Sequence, residues 1–430
     1  TGISVTGEVA ATQDYPNYRP TLDFNFAAVK KLDPRITYSR TGPASYIDEY
    51  GKVVLVGANV PRFDHDPITR ESKGLLIEEG RTNMITYSTD YTQSSLYQFS
   101  SYEGAISENL GTAPDGGLTD AFIGEGNTGR HTLYIKVGTS LSNNTKYSMS
   151  IFVKRVSDHS NERYCRLETA SYSTWTHAGA SATFDLSNGT EVTGSSANIT
   201  SGIETYPDGW YRISMTSTTG TVAAGTGFYL NITNSSGSSA STTVTGSQGL
   251  FMYGTQMEAG DFITSFIPTN GETATRGSDD LVIDGEDLTD FHNQPEGTIL
   301  ADYKVIGGYP QIMYLSNNAV SRRIGLYEAG SAQTRFLIGN SGTQADTTDS
   351  AGTTVGDNIK SAGAYKLNDV AAAKNGVISS TDSSVTIPDD IDRAYIGGYF
   401  NGDVSGVLGL RRLVYYQQRL PNSQLITLTA

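Results

Sequence analysis

Residues 58–67 read A-N-V-P-R-F-D-H-D-P and set Asp64, His65 and Asp66 in consecutive positions behind Arg62 and Phe63. Two carboxylates beside an imidazole are the groups of a proton shuttle or a metal site. In an extended strand, however, adjacent side chains point to opposite faces. Asp64 and Asp66 then share a side from which His65 is directed away. The other histidines, at 131, 159, 177 and 292, are scattered and form no HxH or HExxH spacing. The stretch therefore reads as a structural loop, with Asp66 capping a turn at Asp66-Pro67. Neither a catalytic residue nor a metal site is expected in it.

Other chemistry is equally thin. A glycosidase needs two carboxylates about 5–9 Å apart in a cleft, and 45 acidic residues single out no pair. The densest acidic run, D-D-L-V-I-D-G-E-D-L-T-D (279–290), reads as a solvated linker able to hold a cation weakly at most. No G-x-S-x-G elbow marks a serine nucleophile. Flat aromatic rings among polar neighbours are a different matter, because a sugar ring stacks on them. Tyr172 and Trp175 in S-Y-S-T-W-T-H form one such candidate platform, and Tyr399 and Phe400 before N-G-D form a second. Trp210, which opens a strand in D-G-W-Y-R-I-S, reads as a core residue, and Cys165 in R-Y-C-R-L as a buried thiol. The sequons at Asn143, Asn198, Asn231 and Asn234 are what a Ser/Thr-rich chain produces by chance.

The elements around these residues are strands. T-L-D-F-N-F-A (21–27) alternates, with Leu22, Phe24 and Phe26 on one face. S-Y-I-D-E-Y-G-K-V-V-L-V (45–56) reads as a hairpin turning at Asp48–Gly51. A strand–loop–strand element spans 58–83, and Arg62 on one arm is expected to pair with Glu78 or Glu79 in G-L-L-I-E-E-G-R-T-N on the other. Strand candidates then recur at the short spacing of sandwiches, among them 147–156, 163–169, 210–216, 249–258, 297–305, 311–316 and 411–416. Residues 361–376 read as a strand pair with a small-residue turn, and 421–429 as one short helix capped by Asn422. The expected fold is all-β, tandem jelly-roll β-sandwiches with an N-terminal strand and loop attachment region. The expected limits are 1–90, 91–270 and 271–430.

Composition agrees. The chain of 430 residues has 17% charged residues, 47 glycines and 26 tyrosines, a balance suited to short strands and tight turns. Its formal charge of −15 repels phosphate backbones and anionic bilayers, so no nucleic acid and no membrane insertion are expected. No apolar run reaches the ~20 residues of a membrane helix. The first ten residues lack the basic and apolar regions of a secretory signal. One cysteine gives no internal disulfide.

Several segments together carry a resemblance: L-D-F-N-F-A (22–27), I-T-Y-S-R-T-G-P-A-S-Y-I-D (36–48), the 58–83 stretch, Q-M-E-A-G-D-F-I-T-S-F-I-P-T (256–269) and A-T-R-G-S-D-D (274–280). With them the chain resembles bacteriophage tail or virion fibre proteins that contain a carbohydrate-binding-module-like sandwich. F-H-N-Q-P-E-G-T (291–298), A-Y-K-L-N (364–368) and L-V-Y-Y-Q-Q-R-L-P (413–421) resemble a concanavalin A-like (LamG-like) domain. The resemblance implies a non-enzymatic virion protein, located on the tail or capsid surface, that adheres to host surface glycans. It also implies other tail or head proteins as partners and a homo-oligomer, a trimer by expectation. A head fibre, capsid decoration or collar appendage without ligand, and a glycan-cleaving tail enzyme, are the alternatives. Lectin-like sandwiches often hold calcium, but no acidic cluster here matches a calcium-loop spacing, so no cofactor is expected.

Overall fold

The computed structural model describes residues 19–99, 104–124, 126, 128–137, 140–158, 163–170, 174–177, 179–194, 199–222, 226–233, 241–243, 248–330, 333–348 and 352–430. The chain packs as two compact units. One is Tyr38–Asp279, and the other joins Thr1–Thr37 to Asp280–Ala430. The cut at 37/38 falls within the segment expected as an N-terminal region, so residues 38–90 fold with the middle of the chain. Among the described residues no helix is long and apolar enough to cross a membrane.

The 38–279 unit is a jelly-roll β-sandwich. Its first sheet runs in the order Thr200–Thr205, Tyr211–Thr218, Lys146–Arg155, Gly249–Ala259, Leu118–Ile123, Ala105–Thr112. Its second runs Thr190–Thr193, Ser181–Asp185, Tyr164–Ala170, Gly227–Thr233, Thr132–Lys136, Tyr97–Gln98. Side chains alternate across each strand. Met149, Ile151, Val153, Ile213, Met215 and Met252 therefore face Leu133, Ile135, Cys165, Leu167, Phe228 and Leu230 in one core. The opposite face of the first sheet is also apolar. Phe152, Trp210 and Tyr253 lie there under Ile47 and Val53, which come from the Ala44–Ile47/Val53–Val56 hairpin. Burial pushes the Cys165 thiol far above its ordinary pKa, as suits an inert core cysteine.

The second unit is also a sandwich. One sheet runs Val377–Asp382, Asp369–Lys374, Asn358–Lys366, Glu296–Gly307, Val407–Tyr416, and Leu22–Phe24 adds to Val407–Tyr416 with Leu22 opposite Tyr415. The other runs Asp280–Asp284, Arg393–Ile396, Gln311–Ala319, Arg322–Ala329, Gln333–Asn340, Thr343–Thr348. Phe336 of one sheet and Tyr365 of the other meet with ring centroids 6.5 Å apart. The small residues of 361–376 occupy the strands rather than the turn. Ala362, Ala364, Ala371 and Ala373 make a flat bed on which Leu425 of the Asn422–Thr429 helix lies.

Three local expectations are corrected. Leu22, Phe24 and Phe26 are all buried, but the strand ends at Phe24. Asn25 accepts a hydrogen bond from Ala28 N (3.1 Å) and caps a short helix, Phe26–Val29. The acidic run at 279–290 is no solvated linker. Asp279 is fully buried, Leu281 and Ile283 point into the core from the Asp280–Asp284 strand, and Gly285–Thr289 forms a helical turn. The C-terminal helix is capped by Pro421, while Asn422 accepts from Arg419 Nη2 at 2.7 Å.

Candidate functional site

The Asp64-His65-Asp66 cluster is dispersed by its hydrogen bonds. Asp64 accepts from Ile47 N at 2.7 Å and from Lys73 Nζ at 2.9 Å. His65 Nδ1 lies 3.1 Å from Ile47 O. These two neighbours thus both meet the backbone of Ile47, and in the pairing of Phe63–His65 with Ser72–Glu78 the register shift opposite them leaves Lys73 as the extra residue. Asp66 stays apart and accepts from Ile68 N (2.9 Å) and Thr69 N (2.8 Å), closing the loop. Among the described residues no group of three or more His, Cys, Asp or Glu is placed to hold a metal ion.

Arg62 belongs to a buried ionic network. It pairs with Glu78, and its Nη2 donates to Asp279 Oδ2 at 2.6 Å. Arg276 approaches Glu78 at 3.1 Å, and Arg40 approaches Asp279 at 3.6 Å. Ser265 gives Glu78 its backbone N–H (2.8 Å) and its hydroxyl (2.6 Å). Glu79 turns away to Arg81, 2.6 Å distant. Burial alone would raise the Glu78 pKa, but Arg276 and Arg62, with the Ser265 donors, hold it at about 2. Arg276, Asp279 and Arg40 were not singled out in the sequence, where only the two arms of 58–83 suggest a pair.

The same network joins the two signatures. Arg81 lies over the Phe262 ring (4.8 Å to the centroid) and against Gly260, where a Cβ would sit 1.4 Å from Nη1. Asn83 donates to Ile267 O (2.9 Å) and accepts from Met257 N (3.1 Å). E-E-G-R-T-N and Q-M-E-A-G-D-F-I-T-S-F-I are therefore halves of one clasp, a structural element without exposed chemistry.

The aromatic candidates part company. Trp175 is 3% exposed, its Nε1 donating to Ala170 O at 2.8 Å. A ring enclosed in the core offers no face to a sugar, so Trp175 is withdrawn as a platform. Tyr172 lies outside the described residues. Trp210 is buried as expected.

Tyr399 and Phe400 do stand in a built site. They sit on a closed turn in which Tyr399 N donates to Asp403 O (2.7 Å) and Gly402 N to Tyr399 O (2.9 Å). Gly402, at φ +88°, allows it. Their ring centroids are 4.6 Å apart, and both rings are half-buried. The Arg323 guanidinium lies 5.4 Å from the Tyr399 centroid and 5.0 Å from that of Phe400. Its Nη1 donates to Tyr399 Oη at 3.2 Å. Tyr314 comes within 4.9 Å of Tyr399 and 5.7 Å of Tyr327, centroid to centroid.

Strand register explains this grouping. Tyr314 is opposite Gly325, and Tyr327 is opposite Arg335. Arg323, Gly325 and Tyr327 alternate along Arg322–Ala329 and so share one face. Gly325 has no side chain to displace the Tyr314 ring, which lies 2.2 Å from where its Cβ would be. Arg335 Nη1 donates to Asp346 Oδ2 at 3.0 Å on the same face. Tyr314 is fully buried and supports the Tyr399 ring from beneath. At the edge stands the half-buried carboxyl of Asp280, raised in pKa by burial. One Oδ1 lies 3.8 Å from the Gly402 Cβ position. Flat rings ringed by a guanidinium, phenols and a carboxylate can stack the C–H face of a sugar and bond its hydroxyls. Sequence reasoning missed Tyr314, Arg323 and Tyr327. The period-2 pattern of R-R-I-G-L-Y-E (322–328), with glycine beside tyrosine, was the available signal.

No protein-family model matches the chain, and no curated protein matches it. Among solved structures, similarity is found to the CBM40 of the Ruminococcus gnavus IT-sialidase bound to α2,3-sialyllactose. It is 18% identical, covering 32% of this chain and 84% of that one with a TM-score of 0.29. Domain 4 of AbnA, a GH43 extracellular arabinanase from Geobacillus stearothermophilus, in complex with arabinotriose, is 14% identical. It covers 36% and 73% at a TM-score of 0.30. The heptameric SAP-like pentraxin from Limulus polyphemus is 15% identical and covers 32% and 70% at 0.26.

Proposed function

We propose that the chain is a non-enzymatic glycan-binding adhesin. The observation that carries this reading is the face formed by Tyr327, Tyr399 and Phe400 around Arg323, with the buried Tyr314 beneath it and Asp280 at its edge. The rings are held by cross-strand pairing and a closed turn, so they are ordered before a ligand arrives, and preorganised rings spare the cost of ordering on binding. The reading rests on this site and not on the structural neighbours.

The finer proposal is a virion fibre or receptor-binding protein that adheres to host surface glycans. It is supported by the resemblance of residues 58–83 and 256–269 to phage fibre proteins. A shallow face binds single sugars weakly, and a homo-oligomer, as a trimer, raises avidity through effective concentration. Two experiments test the proposal. The full chain on a glycan array is expected to bind a restricted set of glycans, and Tyr399→Ala with Phe400→Ala to lose them. Labelling assembled particles with an antibody to the chain is expected to mark the tail or capsid surface. Sugar release from host polysaccharide, lost on replacing one carboxylate, would overturn the non-enzymatic reading.

A further inference from the structure

The 38–279 unit contains a cavity of about 430 Å³ lined by residues of three turns and by the strand residues Thr112 and Lys154. The volume is in the range of small-ligand sites. The turns are Asp48–Gly51, Ala113–Gly117 and Pro207–Gly209. Gly51, at φ +78°, lets the first and third approach, since a Cβ there would lie 2.9 Å from Pro207 Cγ. The floor is aromatic. Tyr206 packs edge-on to Phe152 at 4.9 Å, and Trp210 Nε1 donates to Thr112 O at 3.3 Å.

The charge of this cavity is unlike that of the molecule. In a chain of formal charge −15, its lining residues include Lys52 and Lys154, with Asp208 as the one acidic residue among them. Lys154 is placed by strand alternation, two residues after Phe152 and opposite Phe251. No ion pair of either lysine occurs among the described residues. Arg70 Nε stands 3.1 Å from the Gly51 Cβ position, adding a third cation close to the lining. Other carboxylates close to the lining are engaged: Asp115 by Tyr253 Oη (2.8 Å) and Gly117 N (2.9 Å), Asp48 by the backbone N–H groups of Tyr50 and Lys52 (both 2.9 Å), and Glu204 by Tyr206 Oη (3.4 Å). Two ammonium groups without an ion pair among the described residues, beside a single lining carboxylate, fit a ligand that carries a carboxylate next to hydroxyls.

We propose that this cavity is a second binding site, independent of the Tyr399 face, and that it takes a carboxylated sugar unit. Lys52 and Lys154 hold the carboxylate, and Asp208 accepts from the hydroxyls of the sugar. The test is titration of the full chain with glucuronate, glucose and inorganic sulfate, followed by calorimetry. Glucuronate is expected to bind, and glucose and sulfate each at least about tenfold more weakly. Lys52→Gln and Lys154→Gln are expected to weaken glucuronate about tenfold each, with unchanged thermal melting, while Lys→Arg at both positions retains it. Glucuronate failing to bind, or binding unaffected by both Gln variants, would overturn the proposal, as would sulfate competing on equal terms. Tyr399→Ala is expected to leave glucuronate binding intact, which separates failure here from failure of the adhesion face.

Discussion

Arg62 is fully buried between Glu78 and Asp279, and such a position makes a residue expensive to remove rather than chemically active. Truncating one member of a buried pair leaves the rest uncompensated. Arg62→Met is expected to lower the stability of the 38–279 unit by about 3–5 kcal/mol in urea unfolding. The pH dependence follows from the same residue. The Glu78 pKa is lowered from 4.5 to about 2 on folding. Its contribution is therefore full above pH 4.5 and lost as pH falls towards 2. His292 acts in an earlier window in the other unit. Burial lowers its pKa from 6.5 to about 4, so unfolding captures a proton there, and stability declines as pH falls from 6.5 to 4. Calorimetric melts across pH should show these two windows, with His292→Phe flattening the upper one. An unchanged slope between 6.5 and 4 in that variant would exclude the assignment.

At the scale of elements, the aromatic face depends on a glycine as much as on its rings. Gly325 lies under Tyr314, and any Cβ there meets the ring. Gly325→Val is expected to displace Tyr314 and weaken glycan binding, at about 1–3 kcal/mol of stability. Retained binding with an unmoved melting point would show that the ring position does not matter. Strand positions were largely legible in the sequence because a buried face imposes a period of two. The hairpin at Asp48–Gly51 and the pairing arms of 58–83 followed from that period and from turn chemistry. What was not legible came from longer range. Asp64 and His65 both reach the backbone of Ile47 in another hairpin, and the burial of Trp175 is decided by strands distant in sequence. Asp279 looked solvated because its acidic neighbours in the run are, while three arginines from separate segments converge on the network it completes.

At the scale of the molecule, two sandwiches each carry a distinct surface with recognition chemistry. The 280–430 portion bears the tyrosine and arginine face, and the 38–279 unit bears the lysine-lined cavity. An adhesin built this way gains from several weak sites acting together. Sedimentation of the full chain is expected to give a homo-oligomer, and binding to immobilised polysaccharide to exceed binding to free oligosaccharide by 10²-fold or more (an order-of-magnitude estimate). A monomer with equal affinity for both would remove the avidity argument.

The most direct measurement is glycan binding by the full chain beside the Tyr399→Ala/Phe400→Ala double variant, both checked for equal thermal stability. The predicted result is saturable binding to a defined glycan set by the parent chain and its loss in the variant. Equal binding by the two, or none by the parent, would contradict the assignment of this face as the adhesive site.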